Sequence, residues 1–148
     1  MTDEQYQTHL WLNRNRDFQR RLDADRKMLI KLETRISGGV AQYETDGASH
    51  DSQTARARHE DALLDYSEMC KKVESEESRY LAETVKTKRA IDELSDDKYN
   101  ALATKFYING ETMERIAREE HYSRAQAYRY RNKMLDEMTE ILKGGKYD

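Results

Sequence analysis

From Leu63 to Leu94, ten positions follow one another at spacings of three and four residues without a skip: Leu63, Tyr66, Cys70, Val73, Glu77, Tyr80, Thr84, Thr87, Ile91 and Leu94. Seven of the ten are apolar or aromatic, and Leu81 and Val85 partly relieve the weak positions Glu77, Thr84 and Thr87. A heptad pattern held this long predicts a coiled-coil helix of about 50–60 Å at 1.5 Å per residue. No proline occurs anywhere in the 148 residues to interrupt it. Only 36% of the chain is hydrophobic while 37% is charged, so a deep globular interior cannot be filled. The expected fold class is all-α.

A partner for this helix is legible upstream. From about Glu4 to Ser37 one helix is expected, with Phe18, Leu22, Leu29, Leu32 and Ile36 in an a/d frame that Asp25 fills badly. Tyr6, Leu10 and Trp11 extend its apolar face. Gly38-Gly39 are expected to end it, because glycine adopts the left-handed cap that other residues resist. The polar, aperiodic stretch from about 38 to 55 then reads as a loop or linker. Charge supports the pairing: Leu12–Arg35 carries eight basic and four acidic residues, Glu60–Arg79 three basic and seven acidic. Residues 1–94 are therefore expected to form a long antiparallel helical hairpin. Arg14, Arg16, Arg20 and Arg21 are expected to meet the acidic second helix rather than nucleic acid. The imperfect seam makes a homo-oligomer the expected way to bury the remainder.

Several classes are set aside. No run of about 18 apolar residues exists, so no membrane span is expected. The start Met1-Thr2-Asp3-Glu4-Gln5 does not read as a secretory signal. Cys70 is the single cysteine; it excludes an internal disulfide framework, fits a reducing cytoplasm and lies on the seam as a small core residue. His50 and His59 lack metal-ligand spacing. No catalytic constellation, phosphate-binding glycine loop or cofactor motif is found, so neither an enzyme nor a cofactor is expected.

Around Ser95 the pattern changes, and residues 95–148 read as a separate three-helix domain. Ser95-Asp96-Asp97 is a helix start, with Ser95 as the expected cap. Tyr99, Leu102, Ala103 and Phe106 then share a face, and Asn109-Gly110 ends the helix. Thr112 caps a short helix whose inner face is Met113, Ile116 and Ala117. His121-Tyr122 make a tight turn. Ser123 starts a last helix, with Gln126 completing an S-x-x-Q capping box, and Gly144-Gly145 close it. A short helix, a tight turn and an arginine-bearing helix form a helix-turn-helix.

Net charge is −3, so bulk charge does not attract nucleic acid. Yet Ser123–Leu135 holds Arg124, Arg129, Arg131 and Lys133 without an acid. Ala127, Tyr130, Met134 and Met138 are expected inward on the last helix. Ser123, Arg124, Ala125, Gln126, Tyr128, Arg129 and Lys133 are the expected DNA-contacting set. Arginine pairs with guanine and glutamine with adenine in the major groove, and a small Ala125 permits close approach. Gln126 reads equally as a capping partner, Ser123 as a cap, and Arg131 and Lys133 as solvated cations.

The segments FYINGETMERIA (106–117) and YSRAQAYR (122–129) resemble the DNA-binding region 4 of bacterial sigma factors. More closely, the chain resembles the ArpU/RinA-type regulators of phages and prophages, and the ISGGVAQYETDG stretch is similar to theirs as well. His121 departs from the glycine that such turns often carry. The resemblance implies sequence-specific binding of double-stranded DNA and regulation of late genes in the cytoplasm of a bacterial host. It leaves open a DNA-packaging adaptor like a small terminase subunit, or a sigma-like adaptor whose partner is host RNA polymerase.

Overall fold

A computed structural model describes the secondary structure of residues 1–45 and 51–148 and the side chains of residues 1–38 and 53–148. All regular structure among these residues is helical, so the chain is all-α. The order is α1 (Asp3–Thr45), α2 (Asp51–Ile91), α3 (Asp97–Ala103) continued by a π turn (Thr104–Ile108), α4 (Met113–Glu119) and α5 (Arg124–Lys143). Among the described residues, no helix is long and apolar enough to cross a membrane.

The helix end expected at Gly38-Gly39 is not there. α1 continues through Thr45 and α2 begins at Asp51, which shortens the expected 38–55 loop from both sides. Residues 46–50, and His50 among them, lie outside the described residues. A helical glycine costs only about 0.5–1 kcal/mol against alanine. A Cβ built on Gly38 would meet nothing within 4 Å, so that position tolerates the helix without demanding a turn.

The chain divides into two compact units, residues 1–19 with 80–148 and residues 20–79. This division does not follow the 94/95 boundary drawn from the sequence, because the first turns of α1 and the last turns of α2 pack with α3–α5.

In residues 20–79, α1 and α2 run antiparallel: partner numbers fall on α2 as they rise on α1. Arg26 pairs with Glu77 at 2.8 Å, and the Tyr66 hydroxyl donates to Glu33 at 2.8 Å. The expected basic-to-acidic match is present at Arg26–Glu77, while Lys72 of α2 and Asp25 of α1, 3.9 Å apart, pair in the opposite sense. Leu22, Ala62 and Val73 are buried; Leu29, Leu32, Ile36, Tyr66 and Cys70 are half-buried. Leu63, expected on the seam, is 44% exposed, while its neighbour Ala62 is 2% exposed.

The other unit has a continuous core. Leu12 of α1, Ala90 and Ile91 of α2, Leu102 and Ala103 of α3, Tyr107, Met113 and Ile116, and Met134, Leu135 and Met138 of α5 are buried together. Met113, Ile116 and Ala117 face inward as expected. Tyr6 and Leu10, expected on the apolar face of α1, are exposed; Gln5, Thr8, Leu12 and Asn15 are buried instead. The reason is that α5, as well as α2, supplies partners to this helix. Gln5 donates to Asp136 at 2.6 Å, and the Thr8 and Thr139 hydroxyls are 2.7 Å apart. Asn15 donates to Thr87 at 2.8 Å.

Tyr107 is fully buried where the sequence favoured Phe106, which is half-buried. The π turn, closed by Asn109 N–H to Thr104 C=O at 2.9 Å, adds a residue to the turn and moves the inward position on by one. The N-cap of α3 is Asp96, whose carboxylate accepts from Lys98 N–H at 2.9 Å. Ser95, the expected cap, instead donates its own N–H to Glu137 at 2.7 Å.

Candidate nucleic-acid interface

α4 and α5 are joined by residues 120–123, and their geometry is set locally. Thr112 caps α4 by accepting from Arg115 N–H at 3.2 Å, and Ser123 caps α5 by accepting from Gln126 N–H at 3.1 Å. Between them the Tyr122 N–H donates to the Ala117 carbonyl at 2.8 Å and the His121 N–H to Arg118 at 3.4 Å. This is the six-to-one and five-to-two pair of a Schellman turn. His121 takes the left-handed position at φ 60°. The turn therefore forms without the usual glycine.

Burial on one side of α5 fixes what the other side offers. Ala127, Met134 and Met138 are buried as expected, and Leu135 and Thr139 join them. Tyr130, expected inward, is half-buried, with its ring 5.0 Å from Tyr122 and 6.4 Å from Tyr99. Ala125, Arg129 and Lys133, at i, i+4 and i+8, form one exposed stripe. Ser123 and Arg124 are exposed at its N-terminal end. Arg124, Arg129 and Lys133 form no ion pair among the described residues. Arg118, exposed near the end of α4, is a further such cation that the sequence reading left out.

Two members of the expected set are turned away from the stripe. The Gln126 amide donates to the Tyr130 hydroxyl at 2.9 Å, so it neither completes the capping box nor points freely outward. Tyr128 is half-buried between two guanidinium groups, Arg131 at 4.7 Å and Arg124 at 5.8 Å from its ring centre. Arg131 is half-buried, and its Nε is buried without an acceptor.

Electrostatically, α5 starts the wrong way round for an isolated helix. A helix N-terminus carries positive partial charge and favours acids; α1, α3 and α4 supply Asp3 and Glu4, Asp97, and Glu114 in their first turns. α5 has no acid there and begins with Arg124. The acids at the C-terminal end of α4, nearest the turn, are engaged elsewhere: Glu119 and the C-cap Glu120 with Lys105 at 3.2 and 2.6 Å, and Glu119 with Arg115 at 2.9 Å. Acids return to α5 only at Asp136, Glu137 and Glu140. Its first ten residues, about 15 Å of helix, carry four basic residues and no acid.

The other basic cluster is partly reassigned. Arg14 does meet α2, at Glu83 and 3.0 Å. Arg16 instead donates to the Phe106 and Glu111 carbonyls at 2.9 and 3.1 Å and lies 4.2 Å over the Phe106 ring. Among the described residues, no group of three His, Cys, Asp or Glu side chains is arranged to hold a metal ion. No family model, curated protein or solved structure matches the chain.

Proposed function

We propose that this chain is a sequence-specific binder of double-stranded DNA that regulates transcription, with α4, the His121 turn and α5 acting as a helix-turn-helix. The observation that carries the reading is the N-terminal half of α5: exposed Arg124, Arg129 and Lys133 without ion-pair partners among the described residues, on a helix whose first turn lacks an acid. A polyanion entering there meets the helix end and three cations at once. In this reading Arg124 and Arg129 are the base readers, Ala125 allows close approach, and Ser123 and Lys133 meet phosphate. Gln126 and Tyr128 support the helix from its flanks. The likeness to ArpU/RinA-type regulators makes late genes of a phage or prophage the natural target and a homo-oligomer the natural form.

Fluorescence anisotropy against tiled duplexes from the chain's genomic neighbourhood, at about 50 and about 200 mM salt, tests this. One tile is expected to stand out at the higher salt. Arg124→Ala and Arg129→Ala should each weaken that tile by about 1–3 kcal/mol, as for a bidentate arginine–guanine pair. Uniform weak binding that vanishes at the higher salt, or unchanged affinity in both variants, would overturn the docking. RNA polymerase binding that survives both substitutions would favour the adaptor reading instead.

A further inference from the structure

Beside the exposed stripe of α5 lies a second cationic group to which α1 contributes. The His9 Nδ1 is 2.6 Å from the Tyr107 hydroxyl. Burial lowers the pKa of the half-buried imidazole, and nearby Arg131 and Arg16 lower it further. Burial also raises the pKa of the Tyr107 phenol, which keeps its proton. A phenol that keeps its proton can donate to Nδ1, the arrangement that leaves the imidazole proton on Nε2. The Tyr6 ring stacks on His9 at 6.4 Å.

We propose that Arg131 and His9, with the positive charge of Arg124 across the Tyr128 ring, form a phosphate-binding patch that takes a backbone phosphate of the duplex read by α5. The duplex as the source rests on the function proposed above; the phosphate chemistry does not. Three observations converge on it. Arg131 Nε is buried without an acceptor, so the guanidinium is incompletely compensated within the fold, and an anion beside its half-exposed side chain would offset part of that cost. Arg124 and Arg131 lie against the same Tyr128 ring, so two guanidinium groups gather there, neither in an ion pair among the described residues. The charged neighbours that act on His9 are both cations, Arg131 from α5 and Arg16 from α1. Of the carboxylates on the packed elements, Asp136 is engaged with Gln5 at 2.6 Å and Glu4 with Lys143 at 3.3 Å, while Glu111 meets Arg115 at 3.3 Å through one oxygen and keeps the other buried without a partner. An anion relieves this like-charge assembly and makes protonation of His9 easier, so phosphate should bind more tightly as pH falls through the imidazole range.

The test uses the full chain, wild type and Arg131→Gln, with the preferred duplex, a scrambled duplex and inorganic pyrophosphate. Arg131→Gln is expected to weaken both duplexes by the same factor and to reduce the slope of log K against log salt by about 1. The ratio between the duplexes, which Arg129→Ala should change, is expected to stay constant. In the unmodified protein, the NMR titration midpoint of the His9 ring is expected to move up when either duplex or pyrophosphate is added. Unchanged affinity and slope in a variant with wild-type melting would overturn the patch. So would a His9 midpoint indifferent to both ligands, which decides the matter even where Arg131→Gln fails to fold. Loss of slope without any preferred tile would support the patch and overturn sequence reading by α5. Pyrophosphate binding without duplex binding would support the phosphate site and overturn the duplex as its source.

Discussion

Two regions of this molecule are built from the same two long helices and are held in different ways. In the unit of residues 1–19 and 80–148, Leu12, Ile91, Tyr107, Ile116, Met134, Leu135 and Met138 have essentially no contact with solvent. Among the described residues of 20–79, only Leu22, Ala62 and Val73 are buried. The difference is geometric. Two helices leave most seam side chains open on one flank, whereas α3–α5 surround the ends of α1 and α2. A regular heptad pattern therefore reports which residues face a partner. It does not report how completely they are enclosed.

The sharpest way to break that contrast is to excavate each interior. Ile116→Ala should cost about 2–5 kcal/mol in urea unfolding followed on the α3–α5 unit. Leu29→Ala, at a half-buried seam position, should cost about 1 kcal/mol. Equal losses at the two positions would erase the distinction. Next in size, Gly38→Ala should raise the thermal stability of the helix pair by about 0.5–1 kcal/mol, because the glycine is helical with open space around it. A loss of stability there would mark a turn. The exposed Arg26–Glu77 pair should show a coupling of about 0.2–1 kcal/mol in a double-alanine cycle, and less at high salt.

The smallest effect is a pH dependence confined to residues 20–79. The neighbouring Asp25 carboxyl and burial raise the Glu76 pKa above its ordinary value of 4.5, against the opposing pull of Lys72 and Arg21. A folded-state pKa above the unfolded one means that protonated Glu76 adds stability. That contribution is complete below the ordinary carboxylate range and is lost as pH rises through the raised value. Glu76→Gln should flatten the dependence of melting temperature between about pH 4 and about pH 7. A wild-type melting curve with no slope attributable to this position would count against the raised Glu76 pKa.

What was legible from sequence was local. Thr112 and Ser123 each cap a helix through a neighbour three residues away. Met113, Ile116 and Ala117 are fixed by one helical period. His121 takes the turn position its place between two helices required. What was missed depends on distant partners or on a shifted period. The polar residues Gln5 and Thr8 are buried because Asp136 and Thr139 meet them from 131 residues away, and no pattern within α1 announces that. Tyr107 replaces Phe106 because a π turn breaks the count. In the candidate interface, Arg124, Ala125, Arg129 and Lys133 were placed by period alone. The diversion of Gln126 to Tyr130 and the cradling of Tyr128 depend on side-chain partners that periodicity does not specify.

The seating of the first turns of α1 on α5 also orders events during synthesis. Glu33 can meet Tyr66 after 33 further residues, but Thr8 waits for Thr139, 131 residues later. At roughly 5–20 residues per second that wait lasts roughly 7–26 s. The sparsely buried pair of helices can thus close while the densely packed unit is still missing its last helix. During that interval the inner face of α1, with Leu12 among its polar neighbours, has nothing from α5 to cover it. In a nascent chain, the less enclosed of the two regions comes first.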